Sequence, residues 1–292
     1  MMGSDHPSPK SSAPSAVLFR AWVAFCRNWP FIRGRDRIMR LSISSPRIKK
    51  FLQGQPEWMQ TREGFRMQVN RELDYTSFML RLFGNLEPKT GKFILDNMND
   101  SEAFLDIGAN VGYFGLLVAD RFPNSRVISF EPNPPIEHCL SASVVRNAFD
   151  DRMKIVRSAV SNQAGTLSFT VETVNSGHSR IATDSTNGEV IRVNAVVLDH
   201  WIKENPPGCR IACVKMDVEG AEVLALKGMV AILERHQPAL CIEGYDDQLR
   251  EFGTSLVELR KLLTDAGYRE VAEFDGNLYM KHQSRITNRN VS

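Results

Sequence analysis

Three acidic residues close short apolar runs in this chain: Asp106 within Ala103–Ile107, Glu131 after Arg126–Phe130, and Asp217 after Ile211–Met216. Asp106 is followed by Gly108-Ala109-Asn110-Val111-Gly112 and then by a second apolar run. That order reads as a strand, a tight turn and a helix start. Such a turn presents backbone N–H groups to an anion, and Gly108 and Gly112 would let a ligand approach without a Cβ in the way. The acid would face a cation instead. A ligand with an ammonium or sulfonium as well as a carboxylate suits both, and S-adenosylmethionine is one. A dinucleotide turn would carry glycine where Asp106 stands, and that acid would repel a pyrophosphate. A nicotinamide-dependent oxidoreductase is therefore the weaker reading.

Glu131 follows Asp106 by 25 residues at the end of the next apolar run. An acid there can accept two hydrogen bonds from a ribose diol; its structural alternative is a charge at the N-terminus of the following helix. Pro132-Asn133-Pro134 fixes the turn, with Asn133 in reach of sugar or base. Small residues at Ser158-Ala159-Val160-Ser161 could lie against an adenine ring, with Ala159 the contact, although an ordinary loop explains them as well. On the acceptor side, Lys215-Met216-Asp217-Val218-Glu219-Gly220-Ala221-Glu222 brings two acids to a strand end. Transfer to a hydroxyl requires alignment of two reactants and removal of a proton. Asp217 or Glu219 could serve either need; helix capping by Asp217, with Glu219 and Glu222 in the first turn, would explain the acids without catalysis. His178 and His200 are minority candidates for the base.

The elements that must position these residues alternate. Strands are expected at 103–107, 126–131, 153–156, 211–216 and 239–243, with helices at 111–121, 136–147, 198–203, 220–233 and 255–266. Extended segments are expected at 166–171 and 190–196, joined by a polar loop, and a hairpin at 268–281 turns on Asp275-Gly276-Asn277. Short apolar strands separated by helices imply an α/β fold: a mostly parallel central sheet covered on both faces, closed by an antiparallel hairpin. Ligands of such sheets bind beyond the strands' carboxyl ends, where the three acids fall.

The whole chain bounds the rest. Residues 1–56 hold ten Lys/Arg against Asp5 and Asp36, which leaves 26 of the 36 basic and 32 of the 34 acidic residues to the body. The body does not read as a nucleic-acid surface. Segment 1–56 is expected to be partly disordered, with an amphipathic helix presenting Val17, Leu18, Ala21, Trp22 and Phe25 on one face. Residues 16–50 could pack on the protein's own body, lie on an anionic membrane or dock on a partner; an organelle transit peptide is a further reading. Residues 57–100 are expected to form lid elements over the ligand's mouth, 101–284 the catalytic unit and 285–292 a disordered tail. Five irregularly spaced cysteines point to a reducing, cytoplasmic compartment. No ligand set for a metal is apparent in the spacing.

The chain resembles the FkbM family of S-adenosylmethionine-dependent methyltransferases. The resemblance rests on Phe104–Gly112, Phe130-Glu131-Pro132-Asn133, Val197-Leu198-Asp199-His200-Trp201 and, most distinctively, Val214–Glu222 with Leu224 and Lys227-Gly228. Glu87-Pro88 resembles an element before the first strand, so the likeness runs over about residues 64–281. It implies a Rossmann-like fold, S-adenosylmethionine held by Asp106, Gly108, Asn110, Gly112 and Glu131, and transfer to a hydroxyl of a small metabolite or glycan. It does not fix the acceptor. A non-catalytic scaffold that keeps the fold and docks through its basic N-terminus is the alternative.

Overall fold

The computed structural model describes residues 14–28, 34–70, 74–171, 179–182 and 189–286. Three helices open it: α1 (Pro14–Asn28), α2 (Arg35–Ile43) and α3 (Pro46–Gln53). A short hairpin follows, β1 (Trp58–Gln60) with β2 (Arg66–Gln68), then α4 (Tyr75–Phe83) and α5 (Pro88–Asp96). Asp74 caps α4 by accepting the Ser77 N–H at 2.7 Å, and Gly84 ends it in the left-handed region.

The alternating body then runs β3 (Ala103–Ile107), α6 (Tyr113–Arg121), β4 (Arg126–Phe130), α7 (Pro134–Arg146) and β5 (Met153–Val156). Next come β6 (Ala159–Val160), β7 (Gly165–Val171), β8 (Arg180–Ile181), β9 (Glu189–Val196) and α8 (Leu198–Glu204). The chain closes with β10 (Ile211–Met216), α9 (Glu222–Lys227), α10 (Val230–His236), β11 (Ala239–Glu243), α11 (Asp246–Glu251), α12 (Leu256–Asp265), β12 (Tyr268–Phe274) and β13 (Asn277–His282).

The main sheet has the order β12-β13-β11-β10-β3-β4-β5, parallel from β11 to β5 and antiparallel at the β12–β13 hairpin. Its two faces are separate cores. Leu105, Ile107, Val214, Met216 and Leu240 point to one side, packed by α8, α9, α10 and α12; Phe104, Val127 and Cys213 point to the other, packed by α5, α6 and α7. This is the period-2 alternation of a strand buried on both sides, and each such Leu or Ile contributes about 2 kcal/mol. The strand order reverses between β3 and β10, which makes their carboxyl ends the crevice of the sheet.

Three features differ from the sequence expectation. The helix expected over 220–233 is two helices, broken at Gly228-Met229. A Cβ at Gly228 would lie 2.4 Å from the Ser161 carbonyl oxygen, and the Asp199 carboxylate accepts the Ala231 and Ile232 N–H groups to start α10 anew. The segment at Ser158–Ser161 contains a strand, β6, which pairs with β9 in a second sheet ordered β6-β9-β7-β8. Part of the loop expected between β7 and β9, His178 included, lies outside the described residues. Helix α1 is rotated from the expected face. Trp22, Val23 and Cys26 pack inward with α3 and α4, Trp22 donates to Ser42 Oγ at 3.0 Å, and Val17, Leu18 and Phe25 face outward.

The glycines of the first turn also serve a purpose other than ligand access. A Cβ on Gly108 would sit 1.8 Å from the Asp217 carbonyl oxygen, and one on Gly112 would sit 2.0 Å from Leu140 Cδ1. Gly108→Ala is expected to destabilise the fold by more than about 3 kcal/mol in thermal or urea unfolding. Gly253→Ala, with a similar positive φ and open space around it, should cost about 1 kcal/mol from backbone strain alone.

Candidate active site

A cavity of about 540 Å³ opens at the β3/β10 crevice, within the range of small-molecule sites. Its wall includes the 108–111 turn, Glu131 and, from the second sheet, Ala159, Phe169 and Ile181. Glu87, Asp217, Glu219 and Glu243 form an acidic group in the same lining, where Lys215 is the one Lys or Arg among the described residues. Tyr75 and Thr76 at the start of α4 and Tyr245 before α11 also border it.

The turn is self-contained. Gly108 N and Ala109 N both donate to the Phe130 carbonyl at 3.0 Å, and Asn110 N donates to Glu131 Oε2 at 2.8 Å. Val111 N donates to Asn110 Oδ1 at 2.7 Å, and Gly112 N to the Ala109 carbonyl at 2.9 Å. The expectation that these N–H groups face an anion is therefore corrected: all five already have protein acceptors. Asp106 is corrected too. It is fully buried beneath the turn, away from the cavity wall, and Oδ2 accepts the Gly115 N–H at 3.1 Å. Burial pushes its carboxyl up to about 6, opposed by the nearby Lys215. Oδ2 thereby ties β3 to α6, while Oδ1 has no hydrogen-bond partner among the described residues.

Glu131 lies on the wall with both oxygens engaged: Oε2 takes Asn110 N and Oε1 takes Asn133 N, each at 2.8 Å. Each oxygen keeps a second lone pair for a ligand hydroxyl. Burial raises this carboxyl to about 7 against the pull of the two N–H donors. Asn133 sits behind the wall, its side-chain Nδ2 3.4 Å from Ser179 Oγ. Ala159 is on the wall as expected.

Beside the acidic group, Lys215 reaches out of a buried strand and donates to the Gly108 carbonyl at 2.9 Å and to Asp217 Oδ2 at 3.0 Å. Asp217 is not the helix cap that the sequence allowed. Helix α9 has no side-chain cap; Glu222, its first residue, instead ties down the turn before it, Oε1 accepting Val218 N at 3.0 Å and Gly220 N at 3.2 Å. Glu219, held at φ 54, receives a hydrogen bond from Gln248 Nε2. Burial, and after it the negative charge of Asp217, drives the Glu219 and Glu243 carboxyls well up. Asp217 is thus the ion-paired member of a group whose other two members are shifted toward the neutral form. The spacing revealed no metal ligands, yet the fold brings one oxygen each from Asp217, Glu219 and Glu243 within 4.8 Å of one another. His200 is exposed on α8 and does not border the cavity.

Glu87, Lys215, Glu243 and Gln248 were not singled out from the sequence as site residues. Glu243 carries the same signal that marked Asp106, Glu131 and Asp217, an acid closing an apolar strand. Lys215 is a charge inside an otherwise apolar strand, which requires a partner.

Residues 106–270, more than half of the chain, match the Methyltransferase FkbM domain. The chain belongs to the FkbM methyltransferase family. This FkbM methyltransferase is 27% identical over 161 residues to the methyltransferase sdnD of Sordaria araneosa, a match spanning 46% of this chain and 62% of sdnD. It is 50% identical over 44 residues to the AMB antimetabolite synthetase AmbE of Pseudomonas aeruginosa, covering 15% of this chain and 2% of AmbE. The chain thus spans less than two thirds of either relative. Among solved structures, a methyltransferase FkbM from Methylobacillus flagellatus KT is 20% identical with a TM-score of 0.44, covering 63% of this chain and 44% of that one.

The buried carboxyls set a pH dependence. Glu131 and Glu222 rise in the folded state from an ordinary 4.5 to about 7, so the native protein keeps protons that the unfolded chain has released. Stability must then fall as pH rises from about 4.5 to 7. The thermal midpoint is expected to drop over that interval, and Glu222→Gln should flatten the slope by an amount approaching about 3 kcal/mol. A midpoint that rises from pH 5 to 7.5 in the native chain would contradict this.

Proposed function

We propose that this FkbM methyltransferase uses S-adenosylmethionine to methylate a hydroxyl oxygen of a small metabolite or glycan. The observation that carries the reading is one cavity at the sheet's crevice lined both by Glu131 with an apolar wall and by the acidic group Asp217, Glu219 and Glu243. A donor with a ribose, a flat base and two cationic centres fits that donor set. When bound, it supplies an electrophilic methyl group.

The chain's own residues supply the remainder. Glu131 accepts hydrogen bonds from a diol, with Ala159, Phe169 and Ile181 as apolar wall for the base. The Gly108–Val111 turn, with its N–H groups spent, offers a fixed surface. Lys215 fixes the position of Asp217 and compensates part of the local negative charge. Asp217 receives the acceptor's proton, and Glu219 and Glu243, shifted toward the neutral form beside it, keep the site from accumulating three negative charges. Tyr75, Thr76 and Glu87, from the elements before β3, line the same cavity, which supports a covering role for 57–100.

Calorimetric titration of the intact chain should give donor binding in the micromolar range, about −8 kcal/mol. Glu131→Gln is expected to weaken it about tenfold while the unfolding midpoint at low pH stays close to that of the native chain; unchanged affinity would remove Glu131 from the donor site. Asp217→Asn should leave donor affinity within about threefold and lower turnover at least a hundredfold, read as labelled methyl transferred into fractionated extract. Full turnover in that variant would exclude Asp217 as the proton acceptor.

A further inference from the structure

Helix α1 is apolar on two opposite faces. Trp22, Val23 and Cys26 pack inward with α3 and α4, and the Phe19 ring meets Phe51 at 5.5 Å between centroids. Val17, Leu18, Ala21, Ala24 and Phe25, at the i, i+1, i+4, i+7, i+8 spacing of one helical face, are all exposed, Leu18 at 71% and Val17 at 55%. Arg20 borders that face, three residues from Val17 and four from Ala24. A helix on a protein surface ordinarily turns polar residues outward. This one turns hydrocarbon outward and contains no Asp or Glu.

The charge around this helix has one sign. Residues 14–56 hold nine Lys/Arg against a single acid, Asp36, while residues 57–292 hold 26 basic against 32 acidic residues. Arg20, Arg37, Arg40, Arg47, Lys49 and Lys50 are exposed on α1, α2 and α3. The molecule is thus a basic helical unit on a mildly acidic body, an asymmetry that orients it toward an anionic surface. A second copy would set the same cations against each other across a two-fold interface. Residues 1–13 are mainly Ser, Pro and other polar residues and supply little apolar cover. Nucleic acid meets its proteins through cations and polar groups on phosphate and base edges, not through hydrocarbon. An anionic bilayer offers headgroup charge and acyl chains together. No helix among the described residues is long and apolar enough to cross it, so the contact lies in the plane of the interface.

We propose that α1 seats this protein on an anionic lipid bilayer. Val17, Leu18, Ala21 and Phe25 enter the boundary between headgroups and acyl chains, and the cations of α1, α2 and α3 attract the lipid headgroups. None of these residues borders the active-site cavity, and the proposal does not depend on the methyl-transfer reading.

The test floats the intact chain with vesicles of phosphatidylcholine alone and of phosphatidylcholine with about 30% phosphatidylglycerol. Partitioning should be at least about tenfold stronger on the anionic vesicles, and it should fall at least about fivefold when salt is raised from about 0.1 M to about 0.5 M. Leu18→Glu should weaken it at least about tenfold, with the thermal midpoint unchanged because that side chain is exposed. Val257→Glu, at a similarly exposed apolar position on α12, should leave vesicle binding as it is. Arg37→Gln, Arg40→Gln, Lys49→Gln and Lys50→Gln combined should weaken binding about tenfold and flatten its salt dependence; this variant carries the test if Leu18→Glu does not fold. Equal partitioning on the two vesicle types, unchanged binding in Leu18→Glu, or the same loss in Val257→Glu would each overturn the proposal. So would a dimer in sedimentation equilibrium that Leu18→Glu dissociates, which assigns the face to a second copy. Tighter binding to a duplex oligonucleotide than to the anionic vesicles would overturn it in favour of nucleic acid.

Discussion

The buried ammonium of Lys215 is the interaction on which the active-site architecture depends. It ties the Gly108 carbonyl, at the end of β3, to the Asp217 carboxylate, at the end of β10. Those strands flank the point where the sheet's order reverses, so a single cation spans the crevice. Its charge is stabilised by Asp217, Asp106 and Glu87, in that order, and it in turn limits how far Asp106 and Glu87 are driven toward the neutral form. Glu219 and Glu243 do not bond to it, and burial together with the charge of Asp217 moves both toward the neutral form. The lysine therefore sets the ion-paired Asp217 apart from its neighbouring acids.

The same crevice explains why the glycines are glycines. Gly108 has no room for a side chain because the Asp217 carbonyl passes through the place a Cβ would occupy. The two halves of the sheet approach backbone to backbone at the site where the ligand must enter, and Lys215 is the side chain that joins them.

Much of this was legible in the sequence. The five parallel strands and the hairpin were readable from apolar runs bounded by turn residues, and Glu131, Ala159, Asp217 and Glu219 do border one cavity. What failed did so for physical reasons. A helix broken by a tertiary cap, as Asp199 breaks the 220–233 segment, leaves little trace in local periodicity. The acid Asp106 sits at a strand end like Glu131, but its side chain points under the turn, a distinction set by the strand's alternation and the position of α6. The carboxylate group joins residues from β10, the turn after it and β11, a juxtaposition that sequence spacing does not encode. The face of α1 was misjudged by one step of rotation because Val17 and Leu18 are as apolar as the Trp22 and Val23 that pack.

The hydrogen bonds of the 108–112 turn have one more consequence. A loop that closes around its ligand with its own N–H groups must be ordered at each binding event and released at each departure, and part of the binding energy is spent on that ordering. Here the ordering was completed when the chain folded, because Phe130, Glu131, Asn110 and Ala109 already accept those protons. The turn is a pedestal and not a clasp. The backbone at the centre of the cavity is fixed by the fold itself before a ligand arrives.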